Sequence, residues 1–228
     1  MNLNLNFNNN PSGNYSPDTA KPAGLMSVLR FPIVLLAGIW AIHFIHFFIP
    51  LVFMGIKPRE IDGLPGILTA PLIHGSIGHL ASNSVPLFVL TALMVYFYRS
   101  IALKAIAMIW ILTGLAVWIL AKPAWHIGAS GVIYGLVTFI FWSGVFRRSL
   151  RSIILAFIIT VLYSGMVLGI IPDESKPISW ESHLYGALVG IFVAFYFRKD
   201  KEKEEEPPVI VHDDAPEDFF LPRDVFEK

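Results

Sequence analysis

The sequence predicts an all-α membrane protein, a bundle of six transmembrane helices with both termini on the cytoplasmic side. Three observations predict it: an excess of apolar residues, the placement of the charges, and the alternation of basic residues between successive connections. Of 228 residues, 55% are apolar and 15% charged, with a mean hydropathy of +0.62. A soluble domain is about 45–50% apolar and about 25% charged. Residues 1–30 hold three charged residues, residues 31–197 hold fourteen, and residues 198–228 hold seventeen. The long middle segment has too few charges to solvate the surface of a water-soluble domain.

The elements follow in order. Residues 1–26 open MNLNLNFNNNPSGNYSPD, Asn-rich and broken by Pro and Gly. Such a tail buries no core and is expected to be disordered. It lacks the basic and apolar regions of a secretory signal. Apolar stretches then run over 27–52, 79–98, 101–121, 130–146, 150–171 and 182–197. Several reach the roughly 20 residues needed to span hydrocarbon as a helix; the fourth and sixth are shorter. The domain so defined is 27–197. Residues 53–78 form a long connection with Gly55, Pro58, Gly63, Pro65, Gly66 and Pro71 among apolar residues. An apolar loop of that kind is expected to lie in the interface or dip into the protein. Residues 198–228, with eleven acids and six bases, read as a solvated cytoplasmic tail.

Orientation follows from the bases. With the N-terminus inside, the inner segments carry Lys21, Arg30, Arg99, Lys104, Arg147, Arg148, Arg151, Arg198, Lys199, Lys201 and Lys203. The outer segments carry only Lys57, Arg59, Lys122 and Lys176. Basic residues favour the cytoplasmic side, so both termini belong there.

The chain has no cysteine, which excludes disulfides, thiolate nucleophiles and cysteine-bound metals. No basic field supports nucleic-acid binding. No HExxH and no intramembrane Gly-x-Gly-Asp occurs, which argues against metallo- and aspartyl chemistry. No cofactor or metal is implied. No internal repeat is evident.

Ionisable and polar groups at membrane depth are expensive and mark functional sites by default. In HGSIGHLASN, residues 74–83, His79 and Asn83 lie at i and i+4 on one helix face, with His74 at the junction before them. In HIGASGVIYG, residues 126–135, Ser130 stands among Gly128, Ala129 and Gly131. Taken alone, Ser130 reads as a helix N-cap, the commoner role. In ESHLYGALVG, residues 181–190, His183 opens the last span above Gly186 and Gly190. A lone histidine there is more often interfacial. His43 and His46 in the first span read as interhelical hydrogen bonding or packing rather than as metal ligands.

One relation joins these sites. Spans two, four and six all start outside, so His79, Asn83, Ser130 and His183 share one depth. Gly131 and Gly135 on one helix, and Gly186 and Gly190 on another, allow backbones to approach closely. The hydroxyl and the imidazole then come within hydrogen-bond reach. A neutral imidazole can take the serine proton and return it to a leaving amine. Donors for the oxyanion would be His79, Asn83 and the backbone N–H groups of Ala129 and Ser130. Tyr134, one turn below Ser130, would pack on the His183 ring. No carboxylate stands as a third member, and Glu181 is expected to face the surface. The reading is a Ser–His dyad.

These residues resemble the rhomboid family of intramembrane serine proteases. The matching pieces are His74-x4-His79-x3-Asn83, then Gly128-Ala129-Ser130-Gly131 with Tyr134, then His183-x2-Gly186-x3-Gly190, in the family's order. The resemblance implies a six-helix bundle with the site sunk below the outer surface and open to water. It implies Ser130 as nucleophile, His183 as general base, and His79, Asn83 and the Ser130 amide at the oxyanion hole, with His74 supporting. Its substrates would be single-span membrane proteins in the bilayer, cut in or near the transmembrane segment where small residues let the helix unwind. The short polar N-terminus suits a bacterial inner membrane. The Trp-Arg pair that many members carry in the first outer loop is replaced by Pro58-Arg59. The rival readings are a catalytically inactive rhomboid-like protein that binds membrane clients, and a histidine-lined metal site or transporter using His74, His79, His126 and His183.

Overall fold

The computed structural model describes residues 24–172, 179–200 and 202. The expected tails at 1–26 and 198–228 fall almost wholly outside the described residues, as does Lys176. Among the described residues the regular structure is helical, and the extended pairing is an isolated bridge between Ile56 and His126. The helices are α1 (Leu25–Phe48), α2 (Gly66–Thr69), α3 (Ile77–Phe97), α4 (Ala102–Leu120), α5 (Ser130–Arg147), α6 (Leu150–Tyr163) and α7 (Trp180–Tyr196).

Local chemistry sets most of the ends. Ser76, in extended backbone, accepts from the His79 N–H at 3.1 Å and caps α3. Ser149 and Ser179 cap α6 and α7 in the same way, each accepting from the N–H three residues on. Helix α5 ends at Arg148, in left-handed backbone at φ 55°. The first stretch, expected to run to residue 52, leaves the helix at Phe48. Ile49 precedes Pro50 and is extended, because proline disfavours helical backbone in the residue before it. The fifth stretch, expected as one span over 150–171, is α-helical to Tyr163 and then 3-10 over Ser164–Ile170.

Among the described residues, five helical segments are long and apolar enough to cross a membrane: α1, α3, α4, α5 and Leu150–Ile170. Helix α7, at 17 residues, is shorter. Helix α5 is central, with 61% of its apolar window buried against 17% for α1. Phe139, Ile140 and Leu136 on it are fully enclosed and form the core with Leu90, Met94 and Ile109. The most extensive helix contact is between α5 and α7.

The long connection between α1 and α3 is folded against the end of α4, and not merely draped across it. Trp110 and Trp118 donate their indole N–H groups to the carbonyls of Leu68 and Glu60, at 3.0 and 2.9 Å. Arg59 adopts φ 59° and donates its guanidinium to the carbonyls of Ile119 and Ala121, at 3.1 and 2.8 Å. These are C-terminal carbonyls of α4, which lack intrahelical partners and carry partial negative charge. Arg59 thus anchors the loop where Pro58-Arg59 replaces the commoner pair.

Candidate active site

Gly128 sits at φ 106°, backbone that only glycine adopts without strain. A Cβ there would also stand 2.6 Å from the His79 ring. This turn delivers Ala129, fully buried, as the N-cap of α5, and no side chain caps the helix. Ser130 is the first helical residue. Its hydroxyl is therefore not a cap, which was the commoner reading of that residue alone. It lies 2.8 Å from His183 Nε2.

His183 is buried at 6% exposure, not interfacial. Its Nδ1–H donates to the Gly169 carbonyl at 2.9 Å. A carbonyl only accepts, so this bond places the proton on Nδ1 and leaves Nε2 to accept from the Ser130 hydroxyl. Tyr134 stacks on the imidazole, with centroids 4.2 Å apart and planes at 10°. Its hydroxyl donates to the Met166 carbonyl at 2.7 Å. The 3-10 segment thus supplies both carbonyls that hold the ring pair. A Cβ on Gly169 would collide with the Tyr134 hydroxyl and approach His183 Nδ1 to 3.2 Å.

The glycine faces bring the two helices together as expected from their spacing. A Cβ on Gly186 would overlap the Gly131 carbonyl, and one on Gly190 would overlap the Gly135 carbonyl. Thr138 closes the same seam by donating to the Ala187 carbonyl at 2.9 Å. Backbone contact at this seam sets the separation of Ser130 and His183.

A cavity of about 560 Å³ opens in front of the pair, and the starts of α3, α5 and α7 converge on it. His79 and Asn83 line it with Ser130 and His183. Asn83 is 7% exposed, and its amide nitrogen has no hydrogen-bond partner among the described residues. It is a donor held ready for a ligand oxygen. Ala129, expected as another donor to that oxygen, is engaged elsewhere. Its N–H points at His74 Nε2, 3.4 Å away and fully buried. His74 therefore supports the turn before Ser130. Burial of its ring, with the neighbouring imidazole of His79, pushes His74 down to about 4 from 6.5.

His43 Nδ1–H donates to the His74 carbonyl at 3.1 Å, and His46 Nδ1 accepts from the Leu51 N–H at 2.8 Å. Both rings tie the first span to its neighbours. Glu181 is a correction. It is 7% exposed, and both carboxylate oxygens accept from the Lys122 N–H at 3.2 Å. The residues that sequence reasoning missed are Gly169, Met166 and Ser179, and His126 was named only in the rival metal-site reading. The first two act through backbone carbonyls, which side-chain identity does not report.

Residues 62–200 match the family model described as Rhomboid domain. Uncharacterized proteins of Mycobacterium bovis and Mycobacterium tuberculosis are each 37% identical over 157 residues, covering 65% of this chain and 65% of their own length. An uncharacterized protein of Mycobacterium leprae is 34% identical over 157 residues, covering 65% of this chain and 62% of its own. The chain thus spans less than two thirds of the length of these relatives.

Proposed function

This chain belongs to the rhomboid family, and from that premise we propose that it is an intramembrane serine endopeptidase working through a Ser130–His183 dyad. The observation that carries the reading is the 2.8 Å contact between Ser130 Oγ and His183 Nε2, with the imidazole tautomer set by Gly169. The protein is a multi-pass integral membrane protein.

In the proposed reaction, Ser130 Oγ attacks the scissile carbonyl and His183 Nε2 takes its proton. The oxyanion that forms is met by the Asn83 amide, His79 and the Ser130 N–H, which opens α5 and precedes its internal hydrogen-bond ladder. His183 then protonates the leaving amine, and the acyl-enzyme remains on Ser130. Water drawn from the cavity, deprotonated by His183, hydrolyses the ester and regenerates the hydroxyl.

Six spans carry this site: the five long segments, and α7 as the sixth. At 1.5 Å per residue α7 is about 26 Å long, close to the hydrocarbon thickness. Both termini are cytoplasmic, and the cavity opens on the outer side of a bacterial cell membrane. The distribution of basic residues supports that orientation. Substrates are single-span membrane proteins whose helix unwinds at small residues, because a helical backbone hides its carbonyls from attack.

The test is a fluorophosphonate probe on wild type, Ser130→Ala and His183→Ala in detergent. Labelling of wild type alone supports an activated serine, and the same pattern is expected for cleavage of a single-span test substrate. Full cleavage by purified Ser130→Ala would falsify the dyad.

A further inference from the structure

His126 is a buried polar residue that the dyad does not use. It is 6% exposed and lines the active-site cavity, four residues before Ser130. Three segments meet on it. Its backbone pairs with Ile56 of the long outer loop through two hydrogen bonds of 2.9 Å. Its Nε2–H donates to the Lys122 carbonyl at 3.0 Å. Its Nδ1 accepts from the Ser179 hydroxyl at 2.7 Å. The Lys122 carbonyl can only accept, so Nε2 carries the proton and Nδ1 is the acceptor.

Ser179 is no ordinary surface partner. Its Oγ caps α7 by accepting from the Ser182 N–H at 3.2 Å, and its carbonyl accepts from the His183 N–H at 3.3 Å. It therefore opens the turn that presents the imidazole. Glu181 closes a second link, because its carboxylate accepts from the N–H of Lys122, whose carbonyl holds His126. Between the serine loop and the histidine helix, the seam of glycines fixes the helices along their length. The His126 bonds fix them at the end where the chemistry occurs.

We infer that His126 is a positioning residue: bonded at once to the serine-bearing loop and to the Ser179 cap of α7, it holds the Ser130 hydroxyl and the His183 imidazole at bonding distance. The inference rests on reading that pair as a protease dyad. A phenylalanine keeps the ring and loses the bonds to Lys122 and Ser179, along with the longer 3.5 Å contact from the Ser182 hydroxyl to Nδ1. A glutamine keeps one donor and one acceptor.

The experiment uses the full chain in detergent, comparing wild type with His126→Phe, His126→Gln and Ser179→Ala. The readouts are the rate constant and the endpoint of fluorophosphonate labelling, with kcat and KM on a single-span substrate. For His126→Phe the expected result is a rate constant and kcat lower by about 10- to 100-fold, since small misplacement of reacting groups carries losses of that size. The labelling endpoint and KM should stay within about twofold of wild type on the same argument. Glutamine should restore most of the loss. Ser179→Ala should reproduce it, and combining it with His126→Phe should add little, as expected for two members of one link.

A wild-type rate constant in His126→Phe would overturn the inference while leaving the dyad standing. So would a lowered endpoint with an unchanged rate per labelled site, the signature of a merely structural residue. If His126→Phe does not fold, an unchanged rate in folded Ser179→Ala overturns it equally. Failure of wild type itself to label or cleave would sink the dyad and this inference with it.

Discussion

Asn83 presents a buried amide with no hydrogen-bond partner among the described residues, aimed into the cavity. Its replacement by alanine should lower kcat by about 10- to 1,000-fold, the range found for single oxyanion donors, with folding unchanged. Steady-state cleavage of a single-span substrate, set beside a melting curve, checks both halves. His74 makes a different prediction, about pH. Its folded value of about 4 lies below the ordinary 6.5, so the folded state resists its protonation. Stability from this residue is fully present above pH 6.5 and is lost as pH falls towards 4, by on the order of 3 kcal/mol. Unfolding midpoints measured from pH 7 to pH 4 should fall, and His74→Gln should fall less steeply. A parallel slope in the variant would show that His74 is not the group responsible. At this scale, Ser130, His183 and Asn83 were legible because their side chains are polar where polarity is expensive. Gly169 was not, since it contributes a carbonyl that every residue type possesses. Ala129 was misread because its amide turns towards His74, a direction set by the Gly128 backbone and not by composition.

Helices α5 and α7 touch through backbone, so the seam should tolerate no side chain. Gly186→Leu places carbon where the Gly131 carbonyl stands and should destabilise the protein by about 1–3 kcal/mol, the usual range for overpacking, while abolishing cleavage. Gly38→Leu is the control, because a Cβ at Gly38 on α1 meets nothing within 4 Å. Thermal unfolding in one detergent checks the pair, and equal losses would mean that the seam is not special. The spacing of Gly131, Gly135, Gly186 and Gly190 announced this contact in the sequence. The change from α6 to a 3-10 segment at Ser164 was not announced, because residues 153–171 form a mostly apolar run with no proline or charged residue to mark a break. What shortens the helix is tertiary: Tyr134 and His183 draw the carbonyls of Met166 and Gly169 towards them.

The site belongs to one end of the molecule, where three helices begin, and hydropathy with basic-residue placement indicated that end before any contact was known. The fold of the connection between α1 and α3 was less legible. Its Gly and Pro residues marked a turn-rich segment, but its anchors join residues some 40–60 positions apart in sequence: Arg59 donates to carbonyls at the end of α4, and Trp110 and Trp118 of α4 donate to carbonyls of the loop. Two outcomes belong to the whole molecule. A membrane-impermeant fluorophosphonate should label Ser130 from the outer face of sealed cells and not from the inner face of inverted vesicles. Labelling only in the inverted vesicles would reverse the orientation. Removal of residues 205–228 should leave the labelling rate within about twofold of wild type, since the described residues lining the cavity all fall between Gly75 and His183.

Among the described residues lining the cavity none is Asp, Glu, Lys or Arg, and the partner of the His183 Nδ1–H is a neutral carbonyl. At rest this described lining therefore carries no fixed charge. On the proposed function, an apolar peptide moving in from lipid would meet in this lining no unbalanced ion, whose field would hold water in place and oppose its arrival. In the proposed reaction, charge separates only when the hydroxyl attacks, giving an imidazolium beside an oxyanion. In surroundings of low polarisability, that transient pair attracts itself more strongly than it would in water. A catalytic carboxylate would add a permanent anion to this environment. The neutral carbonyl lets the machinery remain electrically silent until a substrate is in place.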